Sequence, residues 1–146
     1  MRPALLALAL STLVSCTEAP QPPSQAAPQT YSCLLPSEQR MLVAELFFGR
    51  SIRGRQPVTD AEWAEFAAEI VTPNFPAGFT VSDGEGLWQN PQTHEIGRER
   101  TKILLIAAPR SPDLAQRLSA VMEAYKVRFH QQSVGVITRD SCARFN

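Results

Sequence analysis

Beyond residue 40 the apolar side chains recur with two different periods, and the changes between them outline six elements. Residues 41–48, Met-Leu-Val-Ala-Glu-Leu-Phe-Phe, form a short apolar run closed by Gly49, which predicts a buried strand. Thr59-Asp60-Ala61-Glu62 is a capping-box sequence, in which hydroxyl and carboxylate satisfy free backbone amides reciprocally. Behind it Trp63, Phe66, Ala67 and Ile70 fall at i, i+3, i+4 and i+7, one face of a helix that Pro73 and Pro76 are expected to stop. Residues 79–82 alternate as a strand does, and Asp83-Gly84-Glu85-Gly86 predicts a bend before Leu87 and Trp88. Residues 98–107 end in Ile-Leu-Leu-Ile-Ala and predict a central strand. Ser111-Pro112 reads as an N-cap and first turn, followed by the buried face Leu114, Leu118, Val121, Met122, Tyr125 and Phe129. Residues 133–138 close the series as a strand.

Strand, helix, strand, strand, helix, strand is the split βαβ order. It predicts a ferredoxin-like α+β sandwich, an antiparallel sheet with two helices on one face. The first strand then lies between the third and the last. Its side chains are apolar on both faces: Leu42, Ala44, Leu46 and Phe48 on one, Val43 and Phe47 on the other. Helices cover one face only, so the open face asks for a second cover, and a second copy of the chain, giving a homodimer, is the expected one.

A separate apolar run, residues 4–14, follows Arg2. It is about half of the ~20 residues a spanning helix needs, and with small residues before Cys16 it reads as a secretory signal peptide. Leu13-Val14-Ser15-Cys16 resembles the lipobox of bacterial lipoproteins, which implies lipidation of Cys16 and a membrane partner reached through that anchor. Thr17, rather than Asp, follows the cysteine. By the rule for that class this points to the outer membrane, facing the periplasm. Residues 17–30 contain four prolines and almost no large apolar side chain, so they read as a tether. The expected organisation is signal peptide 1–15, lipidated N-terminus and tether 16–30, and domain 31–146.

The chain has 146 residues, with 14 Lys+Arg against 14 Asp+Glu. Loss of Arg2 with the signal peptide leaves 13 against 14, a net charge of −1. That balance offers no basic patch for nucleic acid, and none is expected as a partner. Of three cysteines, Cys16 takes lipid. Cys33 and Cys142 remain as an even pair in an exported chain, the setting for a disulfide. They stand just before the first strand and just after the last, which the topology makes neighbours.

Catalytic signatures are sparse. The two histidines, His94 and His130, have no companions at metal-ligand spacing, and no metal or cofactor is expected. Charges on presumed central strands are the most unusual feature. Glu45 interrupts an apolar strand; Arg98, Arg100 and Lys102 alternate with Glu99 and Ile103 on another. A candidate polar site on the sheet therefore comprises Glu45, Glu99 and Arg98, with Trp88 and His94 on the adjoining loop. The same charges also suit ion pairs at strand ends. Arg50, Arg53 and Arg55 read as a solvated loop or as a contact for an anionic partner.

Finally, Glu45-Leu46-Phe47-Phe48-Gly49-Arg50, Glu62-Trp63, residues 71–81 (Val-Thr-Pro-Asn-Phe-Pro-Ala-Gly-Phe-Thr-Val), Gly86-Leu87-Trp88, Arg98-Glu99, Tyr125-Lys126-Val127-Arg128-Phe129 and Gln132-Ser133-Val134 together resemble the bacterial family catalogued as domain of unknown function 3574. Asn74 and Ala77 depart from the Arg and Asp more often found there. The resemblance implies a family and no activity. Two functions follow from the residues: a lipid-anchored binding or interaction module, or a small enzyme of the dimeric α/β-barrel kind using Glu45, His94 or Glu99 as acid or base.

Overall fold

The computed structural model describes residues 32–89 and 93–145. The expected signal peptide, Cys16 and the expected tether lie outside the described residues. Four strands form one sheet: β1 (Gln39–Gly49), β2 (Thr80–Gln89), β3 (Ile96–Ala108) and β4 (Gly135–Ala143). Their order is β2-β3-β1-β4, with every pairing antiparallel. It is an α+β architecture whose helices pack on one face of the sheet.

Thr59 caps α1 (Asp60–Phe66) as its sequence predicts: its hydroxyl accepts from the Glu62 amide, and the Glu62 carboxylate accepts from the Thr59 amide at 2.8 Å. The helix does not stop at Pro73. It passes through a π-helical segment (Ala67–Val71) into α2 (Thr72–Asn74). Pro73 has no amide proton, and its ring crowds the carbonyl four residues back, so a wider turn just ahead of it accommodates the proline. The Thr72 hydroxyl donates to the Ala67 carbonyl at 2.9 Å within that turn. The last helix, α3 (Leu114–Phe129), starts later than Ser111-Pro112 implies, with Asp113 as its N-cap. His130 ends it in the left-handed conformation at φ 50°.

Strand alternation decides what the helices cover. Ala44, Leu46 and Phe48 of β1, with Leu104 and Ile106 of β3, point into the core. There Phe48 meets the rings of Tyr125 (4.8 Å between centroids), Trp63 (5.2 Å) and Phe66 (6.1 Å). The Tyr125 hydroxyl donates to the Gly49 carbonyl at 2.9 Å, so the buried phenol has its partner. Burial pushes its pKa up. Arg128 fastens α3 to the first helical run by pairing with Glu65 and Glu69.

The expected bend at Asp83-Gly84-Glu85-Gly86 is absent. These four residues run inside β2, opposite Lys102, Thr101, Arg100 and Glu99. Gly84 lies under the Ile103 side chain: a Cβ there would stand 2.9 Å from Ile103 Cδ1, which would have to move aside. β4 is longer than the β-branched run and reaches Ala143. It carries Cys142 to a disulfide with Cys33, with Cα atoms 5.6 Å apart. Among the described residues no helix is long and apolar enough to cross a membrane.

Candidate functional site

The face of the sheet turned away from the helices presents Val43, Glu45, Phe47 and Gly49 of β1. Beside them stand Glu99, Thr101, Ile103, Leu105 and Ala107 of β3, and Gly135, Ile137 and Arg139 of β4. Leu105 is 37% exposed and Ile137 53%. They flank Glu45 in register, with Val43 before it and Phe47 after it along β1.

At one end of this face is a cleft of about 540 Å³, lined among others by Phe47, Gly49, Arg53, Glu99, Thr101 and His130. Gly49 and Gly135 are among its lining residues. A Cβ on Gly49 would lie 2.6 Å from Glu99 Oε1, and one on Gly135 would lie 3.4 Å from the Phe47 side chain. The Glu99 carboxylate rests over Gly49 and accepts from the Ser51 amide at 2.9 Å. Gln131, from the turn after α3, donates to the Ser51 carbonyl at 2.6 Å and ties the rim of the cleft to the end of β1.

The structure divides the five sheet candidates. Glu99 and Arg98 line the cleft. The Arg98 guanidinium donates to Glu85 at 2.9 Å, which leaves it paired along the edge of the sheet. Glu45 meets none of the β3 charges expected as its neighbours; it accepts from Arg139 of β4 at 3.0 Å. Alternation is the reason: Arg98, Arg100 and Lys102 share the opposite face, so Glu45 has only Glu99 as a charged companion on its own face of β3. His94 lies away from the cleft at φ 58°, its carbonyl accepting from Gln89. Of Trp88 the backbone alone is described, opposite Gly97 in the ladder.

A second polar cluster escaped sequence reasoning. Arg50 is not in a solvated loop: it is 5% exposed, and its Nε donates to the Val58 carbonyl at 2.6 Å. Its Nη1 lies 3.0 Å from Asp60 Oδ1, an ion pair without hydrogen-bond alignment. Lys102, 7% exposed, reaches the same Asp60 oxygen at 2.9 Å and Asp83 at 2.7 Å. Lys102 hydrogen-bonds the Asp60 carboxyl and, with the charge of Arg50, holds it below the usual carboxylate range. Burial works against the Lys102 ammonium, but hydrogen bonds to Asp83 and Asp60 outweigh it and raise its pKa. The cluster joins the end of β1, the start of α1 and the β2–β3 pair, and we read it as structural. Arg55 pairs with Glu62 at 2.6 Å. The amide of Thr59 and then Arg55 bring the Glu62 carboxyl down to about 2.

One group of three candidate metal-binding side chains occurs among the described residues, Cys33, Glu38 and Cys142, and both its sulfurs are spent in the disulfide.

A family model described as "Protein of unknown function (DUF3574)" matches residues 43–145, which takes in all of the helices and all of the sheet except the first four residues of β1. The chain belongs to the DUF3574 family. No curated protein matches its sequence. Two solved structures resemble this DUF3574 domain in fold. A phage SAM lyase in complex with S-methyl-5'-thioadenosine aligns with a TM-score of 0.55 at 14% identity, over 70% of this chain and 90% of that one. A phage SAM lyase in the apo state aligns with a TM-score of 0.56 at 14% identity, over 79% and 99%. At this identity the likeness concerns the fold alone.

Proposed function

We propose that this DUF3574 protein is a lipid-anchored binding module of the cell envelope, with the open face of the sheet as its working surface. The observation that carries the proposal is that face itself. Leu105 and Ile137 are exposed beside Phe47 and Ile103, and a cleft opens at one end. Monomeric domains seldom leave such apolar surface uncovered without a use for it. The order β2-β3-β1-β4 supports reading the domain as a ferredoxin-like split βαβ sandwich. Leu13-Val14-Ser15-Cys16 supports a lipid anchor at Cys16, and Thr17 supports the outer membrane. The Cys33–Cys142 bridge agrees with an oxidising, periplasmic setting.

A second copy is the cover proposed for the apolar part of the face. Glu45 and Arg139 place an acid beside a base there. A two-fold axis brings each toward the opposite charge of the other copy, as a self-complementary interface requires. The test is sedimentation of the Cys16→Ser protein over a range of concentrations. A monomer–dimer equilibrium is expected, weakened about tenfold or more by Leu105→Asp or Ile137→Asp. A monomer at every concentration overturns this part of the proposal.

One observation favours a second reading, a small enzyme of the dimeric α/β-barrel type: the Glu99 carboxylate stands beside the cleft without an ion-pair partner among the described residues. The phage relatives are SAM lyases. Cleavage of SAM by the purified protein would favour that reading.

A further inference from the structure

We propose that the cleft takes a small zwitterion, an amino acid or short peptide carrying both a free ammonium group and a free carboxylate. The inference rests on the reading of the open face as a binding surface, and it gives the polar end of that face its ligand class. Three observations converge. Gly49 and Gly135 line the hollow; without a Cβ, Gly49 lets the Glu99 carboxylate settle against the backbone, and Gly135 adds no side chain beside Phe47. The Glu99 carboxylate is half-buried at its wall. Its one hydrogen bond among the described residues is that from the Ser51 amide at 2.9 Å, and no cation pairs with it there. Arg53 lines the same cleft and forms no ion pair among the described residues.

Each of these charges is incomplete alone. A carboxylate drawn partly out of water gains most from a cationic donor, and an ammonium group supplies three such donors. A guanidinium with its fork unoccupied matches a carboxylate in plane. One ligand meets both demands only if it carries both charges. A neutral sugar leaves both wall charges without a counter-charge, and a simple anion is repelled by Glu99. Phe47 adds an apolar surface for a side chain, and Thr101 and His130 add further polar groups.

The probe is alanyl-alanine, compared with its N-acetylated and its C-amidated forms. Each is titrated to millimolar concentration into the detergent-solubilised full chain and followed by amide chemical shifts. The dipeptide is expected to shift Ser51, Glu99 and Gly135, and each blocked form to bind about tenfold more weakly or less. Glu99→Gln keeps an acceptor for the Ser51 amide. It should weaken the dipeptide about tenfold, while the N-acetylated form, an anion that Glu99 repels, should bind no more weakly than before. Arg53→Ala should weaken the dipeptide, while the C-amidated form, a cation, should bind no more weakly than before. No shifts in the cleft, or equal binding of all three forms, overturns the zwitterion. Self-association measured by sedimentation is a separate readout, so failure of the ligand and failure of the apolar cover are told apart.

Discussion

Phe48→Ala is expected to remove about 3–5 kcal/mol of folding stability, the range for truncating a fully buried phenylalanine. Phe48 is 0% exposed and touches the rings of Trp63, Phe66 and Tyr125 at once. Its loss opens a void bounded by three aromatic side chains from two different helical elements, none of which moves without breaking other contacts. Tyr125 is held by its hydrogen bond to Gly49, and Trp63 by the helix that Thr59 caps. Small domains have about 5–15 kcal/mol in all, so this variant should lie close to unfolding at ambient temperature. Urea titration followed by the fluorescence of Trp63, 5.2 Å from the Phe48 ring, measures it. A cost below about 1 kcal/mol would mean that the ring cluster is not the centre of the core.

Loss of the Cys33–Cys142 bridge is expected to cost about 2–4 kcal/mol. The cysteines are 109 residues apart in sequence, and a loop of that size has a chain-entropy ceiling of about 4.7 kcal/mol. The bridge fastens the chain ahead of β1 to the end of β4, an edge strand whose residues 135–140 are all exposed. Without it that edge is held by the β1 ladder and by exposed polar contacts such as Arg110 with Asp140. Cys33→Ala and Cys142→Ala should each lower the melting temperature, and the double variant should add little to either. An unchanged melting temperature on reduction would contradict the role given to the bridge.

Local chemistry was the legible part of the sequence. Thr59 and Glu62 announce a helix start because both partners of the capping box lie within four residues. Trp63 and Phe66 mark its buried side because helical spacing needs no distant partner. The Cys33–Cys142 pairing followed from counting and from strand order together. Misreadings arose where a distant partner overrides a local signal. Asp83-Gly84-Glu85-Gly86 has turn composition, yet β3 pairs with every residue of it, and the ladder with the Ile103 side chain over Gly84 holds it extended. Arg50 follows a strand and precedes polar residues, which reads as loop. Only the fold brings Asp60 and the Val58 carbonyl to it. Ser111-Pro112 looked like a helix start, and the structure begins two residues further on, at Asp113.

The candidate site was legible in part for the same reason. Alternation put Glu99 on the face opposite Arg98, Arg100 and Lys102, as observed. The partner of Glu45 was not legible, because Arg139 lies 94 residues away on a strand recognised only through residue 138. The glycines that line the cleft were also missed. Gly49 read as a strand terminator, and its contact with Glu99 appears only when β1 and β3 pair.

The central claim is that the open face of the sheet is the working surface in the envelope. The direct measurement is photo-crosslinking of the anchored protein in intact envelopes, with a photoreactive amino acid at the position of Leu105 or of Val127. Leu105 is on the open face, and Val127, 75% exposed, is on α3. A crosslinked product of two copies from position 105, with none from position 127, is the result predicted. Products from position 127 and none from position 105 would contradict the account.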